Sequence, residues 1–462
     1  KELGITKAEI KKAISEKVGD KKTQSDNVAT LPDWLEDWIY VEKLCEFANT
    51  RLNYSIKREA FNAKYNRRND VKHAEMIASD YALNECDLLT VVDKMYWPSA
   101  AITFEYDNKL MLNSYVESGY KAAIINDDNK HAIDLFLAHI NNVLTCEREQ
   151  RILIDWLAYV VQNAGKRINW AILLQGAQGT GKSYFAKVLE WVLGTNAKSL
   201  DPSALGERFT GWANGAVVNI VEEIRIKGDD KWRIMDRLKP FITNSMIQIE
   251  EKGRDHRTVP NFTNYLLLTN YKDALPITND DRRFCVMYGR IQNEQELFDY
   301  FGGRDAASDY FETLFSESEK HAGALKTYLL NHKISEDFKP QGRAPDTESR
   351  KQMIQATISP EQCSVEDLIN KHECGVINGR VLDVTWLAKQ CEIDGEMLPP
   401  TRTLAHILND MGYQQIENRR VFVKKTNSQH YVWFKPSKKT DSDFAKSEVI
   451  DFFKNGLDDV PF

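Results

Sequence analysis

Cysteine is scarce in this sequence: there are seven, an odd number with no C-x-x-C pair. That excludes a disulfide scaffold and fits a reducing compartment. Cys363, His372, Cys374 and Cys391 lie near one another but lack the spacing of a zinc site. No apolar run approaches the roughly 18 residues that a membrane span needs. A surplus of positive charge is missing as well. Lys and Arg total 61 against 68 Asp and Glu, a net charge of −7. A chain that coats nucleic acid through bulk charge is thereby excluded, and only local basic surfaces remain open. Internal repeats and low-complexity tracts are absent too, which removes fibrous, collagen-like and wholly disordered classes.

What is present is a 462-residue chain, 42% hydrophobic and 28% charged, long enough for two to four domains. Residues 1–30 are polar and Lys-rich with no apolar segment of the signal-peptide kind. Because the sequence starts at Lys1, it reads as a piece of a longer protein cut at a linker, and its cysteine content makes the cytoplasm the expected location. Residues 31–145 are expected to form a mainly helical collar domain around Trp34, Trp38, Tyr40 and Phe47. One hairpin interrupts it, turning at Asp107-Asn108-Lys109. From 146 to 335, apolar strand candidates at 170–174, 216–221, 264–269 and 284–288 alternate with helical segments. That rhythm predicts an α/β domain with a largely parallel sheet. Residues 336–352 read as a second linker. Residues 353–436 read as helices ending in a hairpin with its turn at Thr426–Gln429, and 437–462 as a flexible acidic tail.

The strongest motif is Gly176, Ala177, Gln178, Gly179, Thr180, Gly181, Lys182, Ser183, a full G-x-x-x-x-G-K-[ST] match. A strand candidate precedes it and a helix running from Ser183 follows, and residues Gly176 to Tyr184 are expected to bind the nucleotide. Glycines let successive backbone N–H groups turn inward around phosphate oxygens, and the helix N-terminus adds its positive dipole end. A nucleoside triphosphate with Mg²⁺ is the expected ligand. Lys182 would reach the β- and γ-phosphates, and the Ser183 hydroxyl would ligate the metal. Next comes an apolar strand ending in Glu222 and Glu223. One carboxylate there can hold Mg²⁺ and its neighbour can polarise the attacking water; Glu222 is assigned to the metal and Glu223 to the water. A third strand ends at Asn270, a polar side chain able to orient that water. Asp280-Asp281-Arg282-Arg283 precedes the last strand. An arginine there cannot easily fold back onto its own site, so Arg283, or alternatively Arg282, is expected to act across a subunit boundary.

Taken together, G-A-Q-G-T-G-K-S, V-E-E-I, L-K-P-F-I-T-N, E-E-K-G-R-D-H, L-L-L-T-N and D-D-R-R resemble the ATPase core of superfamily 3 helicases, within the AAA+ class. The phage, plasmid and poxvirus-type primase-helicases are the nearest flavour. More narrowly, residues 168–176 and 209–213 are similar to the helicase part of phage primase-polymerases. The resemblance implies an α/β P-loop AAA+ core with a helical N-terminal collar, assembled as a homo-hexameric ring that moves along single-stranded DNA. It also implies a pore-facing loop with a lysine, onto which Lys252 fits, with Arg254, His256 and Arg257 close behind. Three acids in that segment dilute its charge. The function so implied is an ATP-dependent helicase of phage or mobile-element replication, the C-terminal part of a primase-polymerase. An ATP-gated DNA-binding switch or loader without processive unwinding is the alternative.

Two C-terminal features stand apart. Helices followed by a basic hairpin suit a winged-helix-like module, able either to bind duplex DNA or to dock on acidic neighbours. Asp458, Asp459, Val460, Pro461 and Phe462 look like the acidic tip of bacterial single-stranded-DNA-binding proteins, which replication partners grip. Ser428-Gln429-His430 matches the S-x-H of some primase sites but is read here as part of the hairpin turn.

Overall fold

A computed structural model describes residues 31–98, 101–226, 231–253, 256–357, 360–371, 376–377, 381–423 and 428–435. The expected linker at 1–30, Arg254, His372, Cys374, Thr426 and Asn427 of the hairpin turn, and the tail with Asp458–Phe462 lie outside the described residues. No described helix is long and apolar enough to cross a membrane.

The segment expected to be a mainly helical collar combines helices, among them Arg58–Tyr65, Asn69–His73 and Asp127–Val143, with two small β-sheets that the sequence reading did not include apart from one hairpin. Strands β1 (Trp38–Val41), β2 (Glu46–Asn49), β3 (Tyr54–Lys57) and β4 (Thr90–Val91) form one sheet in the order β3-β2-β1-β4. Strands β5 (Asp93–Met95), β6 (Thr103–Tyr106) and β7 (Lys109–Asn113) form another. Of the aromatics expected to supply its core, Trp38 and Tyr40 lie in β1 and Phe47 in β2, where aromatic side chains suit a half-buried pleated surface. Phe47 stacks on Phe61 with ring centroids 3.8 Å apart, and Trp38 meets Phe61 edge-on at 5.3 Å. The expected hairpin is there. Asp107 and Asn108 both take positive φ, 51° and 58°, and join β6 to β7 through a two-residue turn.

The central sheet is parallel and ordered β14-β8-β13-β10-β9, from β8 (Ala171–Gln175), β9 (Ala197–Leu200), β10 (Val218–Val221), β13 (Asn264–Thr269) and β14 (Phe284–Tyr288). Four of these are the strands read from the sequence. The edge strand β9, whose Lys198 and Ser199 give it no apolar run, was not. Every residue of β8, β10 and β13 is buried, as a sheet covered on both faces requires. Alternate side chains feed two cores. Ile172, Leu174, Ile220, Leu266 and Leu268 face helices α1 (Asp127–Val143), α2 (Glu147–Gln162), α3 (Lys182–Leu193), α4 (Arg304–Lys320) and α5 (Ala322–Asn331). Leu173, Val221, Tyr265, Leu267 and Val286 face the helix Lys231–Thr243 and the hairpin of β11 (Met246–Ile249) and β12 (Arg257–Pro260). Helix α1, placed by the sequence in the collar, thus packs in the same core as the sheet.

Residues 336–352 are not a free linker. Phe338 packs on Trp170 at 5.5 Å, Asn169 N–H donates to Pro340 O at 2.7 Å, and Ala344 N–H donates to Arg282 O at 2.8 Å. Buried Arg350 donates to three carbonyls at the other end of this strap, those of Thr278, Asn279 and Asp281. Nothing in hydropathy marks such a segment, because its hold is mostly hydrogen bonding, much of it from polar side chains to backbone carbonyls. The C-terminal module has helices Pro360–Lys371, Val384–Ile393 and Thr401–Asp410 against β15 (Val376–Ile377), β16 (Val381–Asp383), β17 (Gln414–Val423) and β18 (Ser428–Phe434). Ser428 and Gln429 belong to β18, not to the turn assigned from the sequence. His430 is fully buried there, with Nδ1 2.5 Å from Asp383 Oδ2 and Nε2 3.0 Å from Ser428 Oγ.

Arg350→Ala orphans three loop carbonyls, so it should destabilise the chain by about 1–3 kcal/mol in chemical denaturation. Hydrogen exchange should accelerate at 278–283 and leave β8 and β13 protected.

Candidate functional site

Parallel strands end together, so the turns that follow β8, β10 and β13 share one edge. Gln178–Ser183, Glu222, Glu223 and Leu268–Asn270 line one cleft there. The loop after β8 is held open by two left-handed glycines, Gly179 at φ 81° and Gly181 at φ 79°. A side chain at Gly181 would also strike the His139 ring, 2.5 Å from where its Cβ would stand. The first two N–H groups of the motif are already engaged. Gly176 donates to Thr269 O at 3.2 Å and Ala177 to Ile291 O at 3.1 Å, which ties the loop base to β13 and to the segment beyond β14.

Lys182 opens helix α3 and is 7% exposed. Its ammonium donates to Gly176 O at 2.8 Å, Ala177 O at 2.6 Å and Asn270 Oδ1 at 2.9 Å. Burial pulls its pKa down to about 8, and the Glu223 carboxylate opposes that fall. Glu222 is half-buried. Its pKa is raised, first by burial and then by the Glu190 charge, while Lys187 acts the other way. Glu223 is exposed and sits at φ 54°, a left-handed backbone that costs a non-glycine residue on the order of 1–3 kcal/mol. The sequence therefore places lysine, hydroxyl, two carboxylates and an amide where the structure also brings them together. This donor set suits a phosphate group with a hard divalent cation: N–H groups and an ammonium for the anion, Ser183 and carboxylate oxygens for the metal.

Other expected site residues fall elsewhere. Tyr184 is fully buried on the far side of α3, its hydroxyl 2.7 Å from Ser318 Oγ and its ring edge-on to Phe315. It is a core residue, because the helix turns by about 100° per residue and carries it away from the cleft that Ser183 lines. Arg283 lies at the opposite, amino edge of the sheet, since β14 runs parallel to β8 with Phe284 beside Ala171. One strand length, on the order of 15 Å, separates it from the loop of its own chain. It is 3.8 Å from buried Asp281, and Arg282 is exposed. Lys252 is exposed at the tip of the β11–β12 hairpin. Behind it, Arg257 pairs with Glu251 at 3.2 Å and His256 lies 3.6 Å from Glu250.

One participant was missed from the sequence. His139 lies on the apolar face of α1 with Phe136, Ile140 and Val143 and is 1% exposed. Its Nε2 is 3.1 Å from Gly181 O and its Nδ1 3.1 Å from Tyr310 Oη, which also accepts from Asn142 Nδ2 at 2.9 Å. A carbonyl only accepts, so Nε2 carries the proton and Nδ1 accepts from the tyrosine. Burial lowers the His139 pKa to about 4. The available signal was a lone polar residue inside an apolar helical stripe, and that pattern does not say what the residue touches.

Because the folded pKa lies below the ordinary histidine value, the unfolded chain binds this proton more readily. Stability from His139 is complete above about pH 6.5 and falls as pH drops toward 4, by up to about 3 kcal/mol. Urea denaturation of His139→Asn should show a shallower loss between pH 7 and pH 5 than the wild type.

Residues 174–283 match a protein family described as a family of unknown function, DUF5906. The chain is 27% identical over 148 residues to the DNA primase-polymerase of Nitratiruptor phage NrS-1. That match covers 31% of this chain and 20% of the relative, so the chain spans well under two thirds of the protein it resembles. Among solved structures, an apo structure of the NrS-1 C-terminal region aligns with a TM-score of 0.61 at 16% identity. It covers 86% of this chain and 96% of that one. An A-form apo structure of the same region gives 0.60. The chain is thus related in sequence to a phage DNA primase-polymerase and shares the mixed α/β fold, with its parallel sheet, of that protein's C-terminal region.

Proposed function

We propose that this chain is a Mg²⁺-dependent ATPase that works as a ring of identical subunits, six in the expected form, moving on single-stranded DNA. It serves phage or mobile-element replication as the helicase part of a primase-polymerase. The observation that carries this reading is the convergence of Lys182, Ser183, Glu222, Glu223 and Asn270 on one cleft at the carboxyl edge of the sheet. ATP brings a phosphoanhydride whose cleavage drives movement, and Mg²⁺ offsets phosphate charge. Within the cleft, Lys182 holds the β- and γ-phosphates in place of the loop carbonyls it now contacts. Ser183 and Glu222 hold the metal, Glu223 polarises the attacking water, and Asn270 orients it. Arg283 stands too far from its own loop to serve it. That supports a role toward a neighbouring subunit in a closed head-to-tail ring. Lys252, exposed at a hairpin tip, supports contact with a DNA backbone, which needs only local positive charge. The tail Asp458–Phe462 remains a proposed handle for a replication partner.

A second reading, an ATP-gated DNA-binding switch or loader, draws on one observation: Glu251 and Glu250 lie against Arg257 and His256 and offset their charge at the hairpin.

Lys182→Ala should abolish ATP turnover. Arg283→Ala should keep its mass by light scattering yet lose turnover by about 10³-fold or more. Lys252→Ala should retain basal hydrolysis while losing stimulation by single-stranded DNA and strand separation, which a loader would not show. A wild type that hydrolyses ATP as a monomer and ignores DNA would overturn the ring and favour the switch.

A further inference from the structure

Away from the cleft, helices α1 and α4 bring two histidines and a carboxylate to one spot. His131 projects from α1, Glu317 from the last turn of α4, and His321 follows one residue beyond its end. His131 Nε2 is 2.7 Å from Glu317 Oε2, and His321 Nε2 is 3.7 Å from the same oxygen. One ligand atom from each of the three lies within 4.8 Å of the others. The two imidazole rings stand 5.1 Å apart at 80°, so they approach the common point from different directions. No other group of three such side chains comes together among the described residues.

We propose that His131, Glu317 and His321 form a binding site for a divalent transition ion of the zinc class, stapling α1 to α4. The spacing suits it. A tetrahedral zinc with bonds of about 2.0–2.2 Å sets its ligand atoms about 3.3 Å apart, between the two separations seen here. Modest rotation of partly exposed side chains closes the difference, since His131 is 44%, Glu317 30% and His321 18% exposed. That exposure leaves the fourth position to water. Two imidazoles and one carboxylate favour zinc-like ions over magnesium, which takes hard oxygen ligands and holds its waters. Lys320 lies 3.7 Å from the other carboxylate oxygen of Glu317, Oε1, and so leaves Oε2 to the ion. An i,i+4 pair on one helix end and a third ligand on the neighbouring helix tie together two elements that also meet through packing and through the hydrogen bonds of Tyr310 with His139 and Asn142. The same helices carry His139 and Tyr310, so the staple would hold the support beneath Gly181 without entering the cleft.

The test is isothermal titration of the EDTA-treated chain with ZnCl₂, without nucleotide, together with zinc content after gel filtration. One zinc per chain is expected, with MgCl₂ giving no comparable binding. His131→Ala and His321→Ala should each weaken binding by at least about tenfold. Glu317→Gln, which keeps the helix contact but not the anionic ligand, should weaken it too if either alanine variant folds poorly. Failure to retain zinc would overturn the proposal, as would binding that both histidine variants leave unchanged.

Discussion

The ammonium of Lys182 joins three parts of the sheet edge. It rests on the carbonyls of Gly176 and Ala177 and on the side chain of Asn270, so the loop after β8 and the tip of β13 share one cation. A buried ammonium needs such partners, because water is no longer there to solvate it. The rest of the site follows from that constraint. The loop carbonyls can converge only with glycine at 179 and 181, and the second of these leaves room for nothing larger beside His139. Displacing the lysine toward an anion would free the same carbonyls and the same amide, which makes the contact a natural point of response to a phosphate.

Several other polar side chains inside the molecule act as clamps between segments distant in sequence. Asp155 accepts from His332 at 2.7 Å and from Ser335 Oγ at 2.5 Å, joining α2 to the turn after α5. Asp383 caps a helix through the N–H groups of Thr385 and Trp386 and holds His430 with its other oxygen. Arg350 binds the loop that presents Arg282 and Arg283. Buried hydrogen bonds of this kind add modestly to stability when made and cost more when broken. Their effect is to set position, and here they set the loops around the sheet.

Legibility from the sequence followed the strength of local signals. The glycine-rich G-x-x-x-x-G-K-S segment, the four apolar strands and the turn at Asp107-Asn108 each carry a pattern whose cause lies within a few residues, and each lies in the turn, strand or hairpin that its pattern predicts. β9 was invisible because only Ala197 of its four residues is buried, and its pairing with β10 holds it in the sheet. The sheet around Trp38, Tyr40 and Phe47 was missed because its strands are at most four residues long, too short to show a period, and the pairing of β1, β2 and β3 decides it. Tyr184 was drawn into the site by adjacency to Ser183, although helix geometry sends consecutive side chains in different directions.

The sequence by itself determined the chemistry available at the cleft: the loop that can wrap an anion, the lysine, the hydroxyl, the acid pair and the asparagine, in an order that parallel strands bring to one edge. Tertiary structure alone decided which neighbours hold those groups. His139 under Gly181, Arg350 behind the arginine loop, and His131 beside Glu317 and His321 are contacts between residues far apart in the chain. No spacing rule reaches across such distances, because the partner is chosen by how helices pack on the sheet.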